Sequence, residues 1–597
     1  MTGSRLVLLC SVAALVLGSS ALVAAPPQKL RVKSVIIDGN EAFSDRRLKR
    51  VMLTRPSGLF SRRYYFPEVF EDDLKNLVLF YQQNGYLEAA VDSSQVDVDS
   101  TNRYVDIRIL VREGELTLVE GVGVFGSTVF SDSLLFDRIG MRSGNPFKRK
   151  KVQDAALSIL TLYANNGYLD AEVNPDIRID TENHRALMDF IIRERSQSHI
   201  GRIRIEGLQK TAPKIVEREL LFHPGEVAKY GNLLESQRRL YLTGLFQNIF
   251  IRPVPTVDQD STKKDILIEV KENESIEFNI YFGYGSVDRG RTKIEIFNNN
   301  LAGRARKVGF SAKASFISYG AEASFTEPRT FGLRWRTDVN LLYEYLEEPG
   351  YDIERIGGRV VFGRTFGKRS TLSLAYRIEN SDLLKVKVRY IPAELETNLR
   401  SLKLSLIYDT RDNLFNTRSG VYLEWSNELA GSFLRGTDDF WRSLWRIKYF
   451  CTWKIATVFA AALDVGWMDY FGRSTEIPLS ERFYTGGPNS LRGFDYRSAG
   501  PLDENGKPLG GNFKVVLNLI EVRQTIYKMF GGVFFVDIGN VWKHADNFHF
   551  EDLRSCVGFG LRANTPIGIV RCDYGINVEP EKDEPRGKLY FNVGQAF

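Results

Sequence analysis

Three α+β modules followed by an all-β transmembrane barrel of about 16 antiparallel strands is the fold class this sequence predicts, and three observations predict it. A strand, helix, strand, strand pattern recurs three times up to Ser275. Beyond Ser275 helical periodicity stops, and segments of about ten residues alternate in polarity between polar turns, as strands do with one face to lipid and one to a polar lumen. An export signal precedes both halves, and no later stretch offers the ~18 uninterrupted apolar residues a spanning helix requires. An exported chain that re-enters a membrane without helices needs a closed barrel, because an open edge leaves backbone groups unpaired in hydrocarbon.

The export signal occupies residues 1–25: Arg5, the apolar run Leu6 to Leu17, then small residues from Gly18 to Ala25. Cys10 lies inside the run behind Leu8-Leu9, without the small residue a lipoprotein processing site would want, and is expected to leave with the signal. Cys451, Cys556 and Cys572 are too few and too scattered for a disulfide framework and read as apolar fillers. A net charge of +6 over 597 residues, with acids and bases interspersed, carries no footprint of a nucleic-acid binder.

The modules come next, at 28–114, 115–197 and 198–275. A strand ending in glycine recurs at Val35 to Gly39, Val122 to Gly126 and Ile203 to Gly207. A helix end recurs at Leu79 to Leu87 and Leu162 to Leu169, with an Asn-Gly stop in both, and in divergent form at Tyr241 to Phe246. An alternating strand closes each unit at Val105 to Glu113, Ala186 to Glu194 and Ile266 to Glu272. The period of roughly 80 residues exceeds that of solenoid repeats, so each copy is expected to hold its own small core. Lys148-Arg149-Lys150-Lys151 opens a helical pattern and reads as a solvated helix face rather than an anion site. His184, His199 and His223 show no metal-ligand spacing.

The barrel spans 276–597. Val570, Cys572, Tyr574, Ile576 and Val578 fall on one face of a strand, with Arg571, Asp573, Gly575 and Asn577 on the other. The last segment places Leu589, Phe591, Val593 and Phe597 on one side and Tyr590, Asn592, Gly594 and Ala596 opposite. Between these strands and the modules lies Arg482 to Tyr496, RFYTGGPNSLRGFDY, whose glycines permit close backbone approach and whose single arginine, if buried, needs a carboxylate partner.

The order of strands, helices and glycines in the first half resembles the POTRA module. Along the barrel, Phe297 to Gly303, Thr326 to Arg329, Tyr408 to Asn413 with Arg418-Ser419-Gly420, the RFYTGGPNSLRGFDY stretch, Gly510 to Glu521, Phe534 to Trp542, Gly558 to Arg562 and Phe591 to Phe597 occur in series. Taken singly each is weak; Asp409 with Asp412, for example, lacks the full ligand set of a metal site. The ordered series resembles the BamA and TamA superfamily of outer-membrane assembly proteins over essentially the whole mature chain. The resemblance implies a bacterial-type outer membrane with the modules in the periplasm. It further implies strand addition of client chains to a module's sheet edge, though the sequence leaves open which edge.

By the same resemblance Leu491, Arg492, Gly493 and Phe494 form the tip of a loop folded into the lumen, with Asp537 and Glu521 as partners of Arg492. Alternation along Phe534 to Gly539 sets Asp537 on the face opposite the larger apolar residues, towards the lumen. The resemblance also implies a seam between the first strand, around Glu277 to Gly285 with Phe278, and the last, Leu589 to Phe597, with Phe591, Gly594 as hinge candidate and the terminal Phe597 as an assembly signal. The implied partners are unfolded outer-membrane protein clients, accessory lipoproteins or an inner-membrane tether, and the bilayer. No nucleophile elbow or suitably placed histidine argues for an enzyme, and no cofactor or metal site is expected. Alternatives of the same architecture are a TamA-like factor for autotransporters and a two-partner secretion pore.

Overall fold

A computed structural model describes residues 30–58, 63–256, 260, 262–389, 395–414, 416–453, 456–565, 568–581 and 584–593. The export signal, the hinge candidate Gly594 and the terminal Phe597 lie outside these residues.

The first module comprises β1 (Arg31–Asp38), α1 (Asp45–Val51), α2 (Pro67–Gln83), β2 (Ala90–Asp99) and β3 (Tyr104–Arg112). The second comprises β4 (Leu118–Phe125), α3 (Asp132–Ile139), α4 (Arg149–Asn165), β5 (Glu172–Asp180) and β6 (Arg185–Arg193). The third comprises β7 (His199–Glu206), α5 (Pro213–Glu217), α6 (Tyr230–Leu242), β8 (Phe246–Pro255) and β9 (Lys263–Glu272). The sheets run β1-β3-β2, β4-β6-β5 and β7-β9-β8, so the last strand of each module is central. Alternation buries Val105, Ile107, Ile109 and Val111 on one face of β3 and Ala186, Met188, Phe190 and Ile192 on one face of β6. Helical spacing brings Val152, Ala155, Ile159 and Tyr163 of α4 onto the second of these faces.

Two devices recur in all three modules. Gly39, Gly126 and Gly207 have φ of 81°, 83° and 90°. A Cβ there would lie 2.1, 2.2 and 2.0 Å from the carbonyl oxygens of Val111, Ile192 and Val270. Only glycine tolerates both the left-handed backbone and the approach. The central strand then ends in a glutamate that accepts amides of the following loop: Glu113 from Ala42, Glu194 from Thr128 and Val129, Glu272 from Gln209, Lys210 and Thr211.

One sheet edge in each module is already partly covered. Val32 on β1 exchanges backbone hydrogen bonds with Arg63 and Ser57, Val119 on β4 with Asn145 and Gly144, and Ile200 on β7 with Glu226 and Gly225. The other edges are β2, β5 and β8.

The barrel closes through β10 (Ile276–Gly285), β11 (Arg289–Leu301), β12 (Arg306–Ser315), β13 (Ser318–Glu327), β14 (Arg336–Glu347) and β15 (Tyr351–Phe366). It continues with β16 (Ser370–Val386), β17 (Glu396–Asp409), β18 (Gly420–Ala430), β19 (Phe440–Trp453) and β20 (Thr457–Tyr470). The last five strands are β21 (Phe513–Tyr527), β22 (Phe530–Trp542), β23 (Arg554–Thr565), β24 (Gly568–Asn577) and β25 (Gly587–Val593). These sixteen strands form one closed antiparallel barrel in which sequence neighbours pair. Alternation sorts the two faces: Phe534, Phe559, Leu561 and Leu589 are exposed outward, whereas Phe535, Asp537, Asp573 and Tyr590 are buried inward.

Two compact units divide the chain inside the third module, and Ile205–Leu220 and Gln237–Phe250 belong to the unit that contains the barrel. Within that unit Arg329 Nη2 donates to Glu219 Oε2 at 2.7 Å, and Asn300 Nδ2 donates to Thr211 Oγ1 at 2.8 Å. The Phe297 to Gly303 and Thr326 to Arg329 motifs thus provide the turns that meet residues 205–220. The Tyr408 to Asn413 motif is a self-bonded turn: Asp409 accepts both Arg411 Nε and Nη2, and Asp412 accepts the amides of Asn413 and Arg418.

Strands β10 and β25 meet to close the barrel. Among the described residues their ladder consists of Tyr284↔Val593 and Gly285↔Asn592, while β10 pairs with β11 along its whole length. Just beyond the ladder, Ser286 N and Oγ donate to Phe591 O at 2.9 and 3.0 Å, and Phe591 N donates to Ser286 Oγ at 2.7 Å. Phe278 and Phe591 both lie on the strands of this seam but do not face each other. The antiparallel register sets Phe591 against Ser286, and Phe278 is opposite Ile296 of β11.

Candidate functional site: a loop braced inside the barrel

Residues 471–512 connect β20 to β21 and fold back on themselves. Phe483 and Gly511 exchange backbone hydrogen bonds at 2.8 and 3.0 Å, and nearer the tip Ala499 N donates to Thr485 O at 3.0 Å. Gly486 and Gly487, with φ of 105° and 107°, reverse the chain, and Gly487 N donates to Leu491 O. The predicted tip is buried throughout: Leu491 and Phe494 cluster with Ala499 and Cys556, and Arg492 is 6% exposed.

Arg492 meets both carboxylates named from the sequence. Its Nε and Nη2 donate to the two oxygens of Asp537 at 2.8 Å each, and Nη1 donates to Glu521 Oε2 at 2.6 Å. The Phe535 ring lies under the guanidinium, 3.5 Å from Cζ to the ring centroid. Asp537 is fully buried, and Asn518 Nδ2 and the Arg492 amide satisfy its oxygens further. Burying an ion pair carries a desolvation cost that is recovered only when remaining lone pairs find donors, and here they do. Glu521 is held in turn by Arg523 Nε at 2.7 Å.

Glycines make the approach possible. A Cβ on Gly493 would lie 2.5 Å from the Cys556 Cβ, and one on Gly575 of β24 would lie 2.3 Å from the Arg492 carbonyl oxygen. Gly493 N donates to Cys556 Sγ at 3.2 Å, so this buried cysteine is a hydrogen-bond acceptor beneath the tip as well as a filler.

Three further anchors were not apparent from the sequence. Glu481, at the loop's near end, accepts Arg377 Nη1 and Nη2 at 3.2 and 3.1 Å and pairs with Arg442 Nη1 at 3.1 Å. Both arginines also bind Glu428, whose Oε1 accepts Ser401 Oγ as well. This ties the loop to β16 and β19. Arg497 pairs with Glu348 at 2.8 Å and donates to Tyr351 Oη at 3.1 Å. Tyr590 Oη on β25 donates to Phe494 O at 2.6 Å, beside a Lys588–Asp495 ion pair. The available signal was alternation: Arg377, Glu428 and Arg442 are charges on inward positions of apolar strands, where an unpaired ion is too costly to persist.

Of the remaining sequence-predicted residues, Phe278 lies on β10 and Phe591 on β25, both with outward, exposed rings. Phe591 packs against Tyr284 with ring centroids 6.1 Å apart.

Comparison with known proteins agrees with this architecture. Residues 30–114, 117–195 and 198–273 match the POTRA family, described as a surface antigen variable number repeat, and 300–597 match the Omp85 superfamily domain. A protein named outer membrane protein assembly factor BamA from Nitratidesulfovibrio vulgaris is 26% identical over 590 residues, covering 95% of this chain and 74% of that protein. One of the same name from Neorickettsia risticii is 24% identical over 592 residues, covering 95% and 78%. The crystal structure of BamA from Haemophilus ducreyi lacking POTRA domains 1-3 shares the fold, with a TM-score of 0.70 at 20% identity over 80% of this chain and 99% of that one. Three POTRA repeats ahead of a sixteen-stranded barrel with an arginine-braced inner loop make this chain a member of the Omp85 superfamily.

Proposed function

We infer that the chain is a non-enzymatic outer-membrane protein assembly factor, with its modules in the periplasm receiving unfolded β-barrel clients and its barrel passing them into the bilayer. The observation that carries this reading is the junction of the barrel's first and last strands, β10 and β25, behind three POTRA repeats. Such a seam offers strand edges at membrane depth, where a client strand satisfies its backbone by pairing before it faces lipid.

The modules supply the earlier step. With β1, β4 and β7 partly covered by their own loops, client addition falls to β2, β5 and β8. Pro175 interrupts β5 and Pro253 and Pro255 interrupt β8, while β2 carries no proline. Proline lacks the donor a new ladder needs, so β2 of the first module is the most receptive edge. The named relatives support a BamA-like rather than a TamA-like role, and accessory lipoproteins are the partners that this role implies.

Crosslinking the seam tests the reading. Oxidised Tyr284→Cys/Val593→Cys protein should retain a folded barrel yet stop inserting clients, with recovery on reduction. Normal insertion through a verified crosslink would sink it.

A further inference from the structure

The loop and the seam are not separate parts. We propose that Tyr590 is a positioning residue that ties the last strand to the braced loop tip, so that the Arg492 brace sets how readily the seam opens. This rests on reading the β10–β25 junction as the client-insertion seam.

Three observations on one face of β25 carry it. The Tyr590 hydroxyl donates to the Phe494 carbonyl at 2.6 Å. The two residues are 3% and 2% exposed, so water has no access to replace the bond. Phe494 follows Arg492 and Gly493 directly, and those residues are fixed on β21, β22 and β23 through Glu521, Asp537 and Cys556. A continuous path of hydrogen bonds joined by three residues of main chain therefore runs from the β21–β22 wall through the loop tip to β25. It ends within one residue of Phe591, the partner of Ser286 at the seam. Lys588, two residues earlier on the same face, pairs with Asp495.

The character of the holds gives this tie its weight. Across the seam the described residues of β25 make two ladder pairs and the Ser286–Phe591 clasp. From the lumen it has Tyr590 and Lys588. The lysine contact is partly exposed, with side chains 37% and 48% accessible, and salt screens it. The buried tyrosine bond is not screened in that way, and leaving the Phe494 carbonyl without its donor has a real cost. Displacing β25 to admit a client strand must break it.

Hydrogen exchange on the full-length protein in lipid nanodiscs tests the proposal. In Tyr590→Phe, which removes one oxygen and keeps the ring, protection of the Ser286 and Phe591 amides should fall by about two- to ten-fold, the ratio an ordinary hydrogen bond is worth. Amides of β16 to β19 should be unaffected. Arg492→Lys should lower seam protection in the presence of Tyr590 and have little further effect in Tyr590→Phe, a coupling that a merely packed tyrosine would not show. Seam protection that is unchanged or raised in folded Tyr590→Phe overturns the proposal. Should that variant not fold, unchanged seam protection in Arg492→Lys with a loosened loop overturns it equally. A fall in protection with an unaltered complement of outer-membrane proteins leaves the tether standing and removes the assembly reading beneath it.

Discussion

Arg492 combines charge, planarity and shape in a way no other side chain reproduces. Its fork spans both oxygens of Asp537 and still reaches Glu521, while its face rests on Phe535. A lysine keeps the charge but offers neither two parallel donors to one carboxylate nor a flat surface for the ring. Arg492→Lys should therefore destabilise the folded barrel by about 1–3 kcal/mol, and Asp537→Ala, which leaves the guanidinium short of a partner, by about 3–5 kcal/mol. The urea concentration at which the compact, fast-migrating form is lost on gels measures both, and an unchanged midpoint in both variants would remove the brace. Composition showed that Arg492, if buried, needs a carboxylate, alternation faced Asp537 to the lumen, and the family resemblance named Asp537 and Glu521 as the partners. Tyr590 was placed on the correct face by alternation, yet its partner is a backbone carbonyl, and nothing in a sequence marks which carbonyl is near.

The modules show how a local element is closed by chemistry distant in sequence. Glu194, at the end of β6, accepts the Thr128 and Val129 amides ahead of α3 and the Tyr163 hydroxyl from α4 at 2.6 Å. Burial opposes its charge, but the Thr128 and Tyr163 hydroxyls and the two amides outweigh it and hold the carboxyl at about 2, against an ordinary 4.5. A group depressed in the folded state stabilises fully above its unfolded value and ceases to do so as pH falls through the folded one. Exchange protection of the Thr128 and Val129 amides should thus exceed that of Glu194→Gln at neutral pH, and the difference should shrink between about pH 4.5 and pH 2. A gap that is constant over that range would show that the carboxylate's charge is irrelevant. The recurrent glutamates Glu113, Glu194 and Glu272 were visible as the ends of three alternating strands, but as strand ends only; their role as amide acceptors emerges when strand and loop meet. The Glu481 cluster was hidden for a related reason, since Arg377, Glu428, Arg442 and Glu481 are far apart in the chain and converge only when the barrel closes.

For the molecule as a whole, an assembly factor has many clients and a dedicated exporter has one. Depletion should lower many outer-membrane barrel proteins together in a quantitative census, and the native protein should co-purify with lipoproteins rather than with a large inner-membrane tether. Loss of a single exported protein would favour a secretion pore instead. The module order, the sixteen-strand class and the facing of individual strands could be read from periodicity, because alternation between lipid and lumen is imposed residue by residue. The brace was legible through the family resemblance, and its need for a carboxylate follows from burying an ion. Register could not be read: that Phe591 meets Ser286 depends on strand tilt and stagger around a closed barrel, which no single strand encodes. The open edges of the modules and the hold of the loop tip on β25 were likewise decided in three dimensions, since each rests on backbone groups that every residue carries alike and only proximity distinguishes.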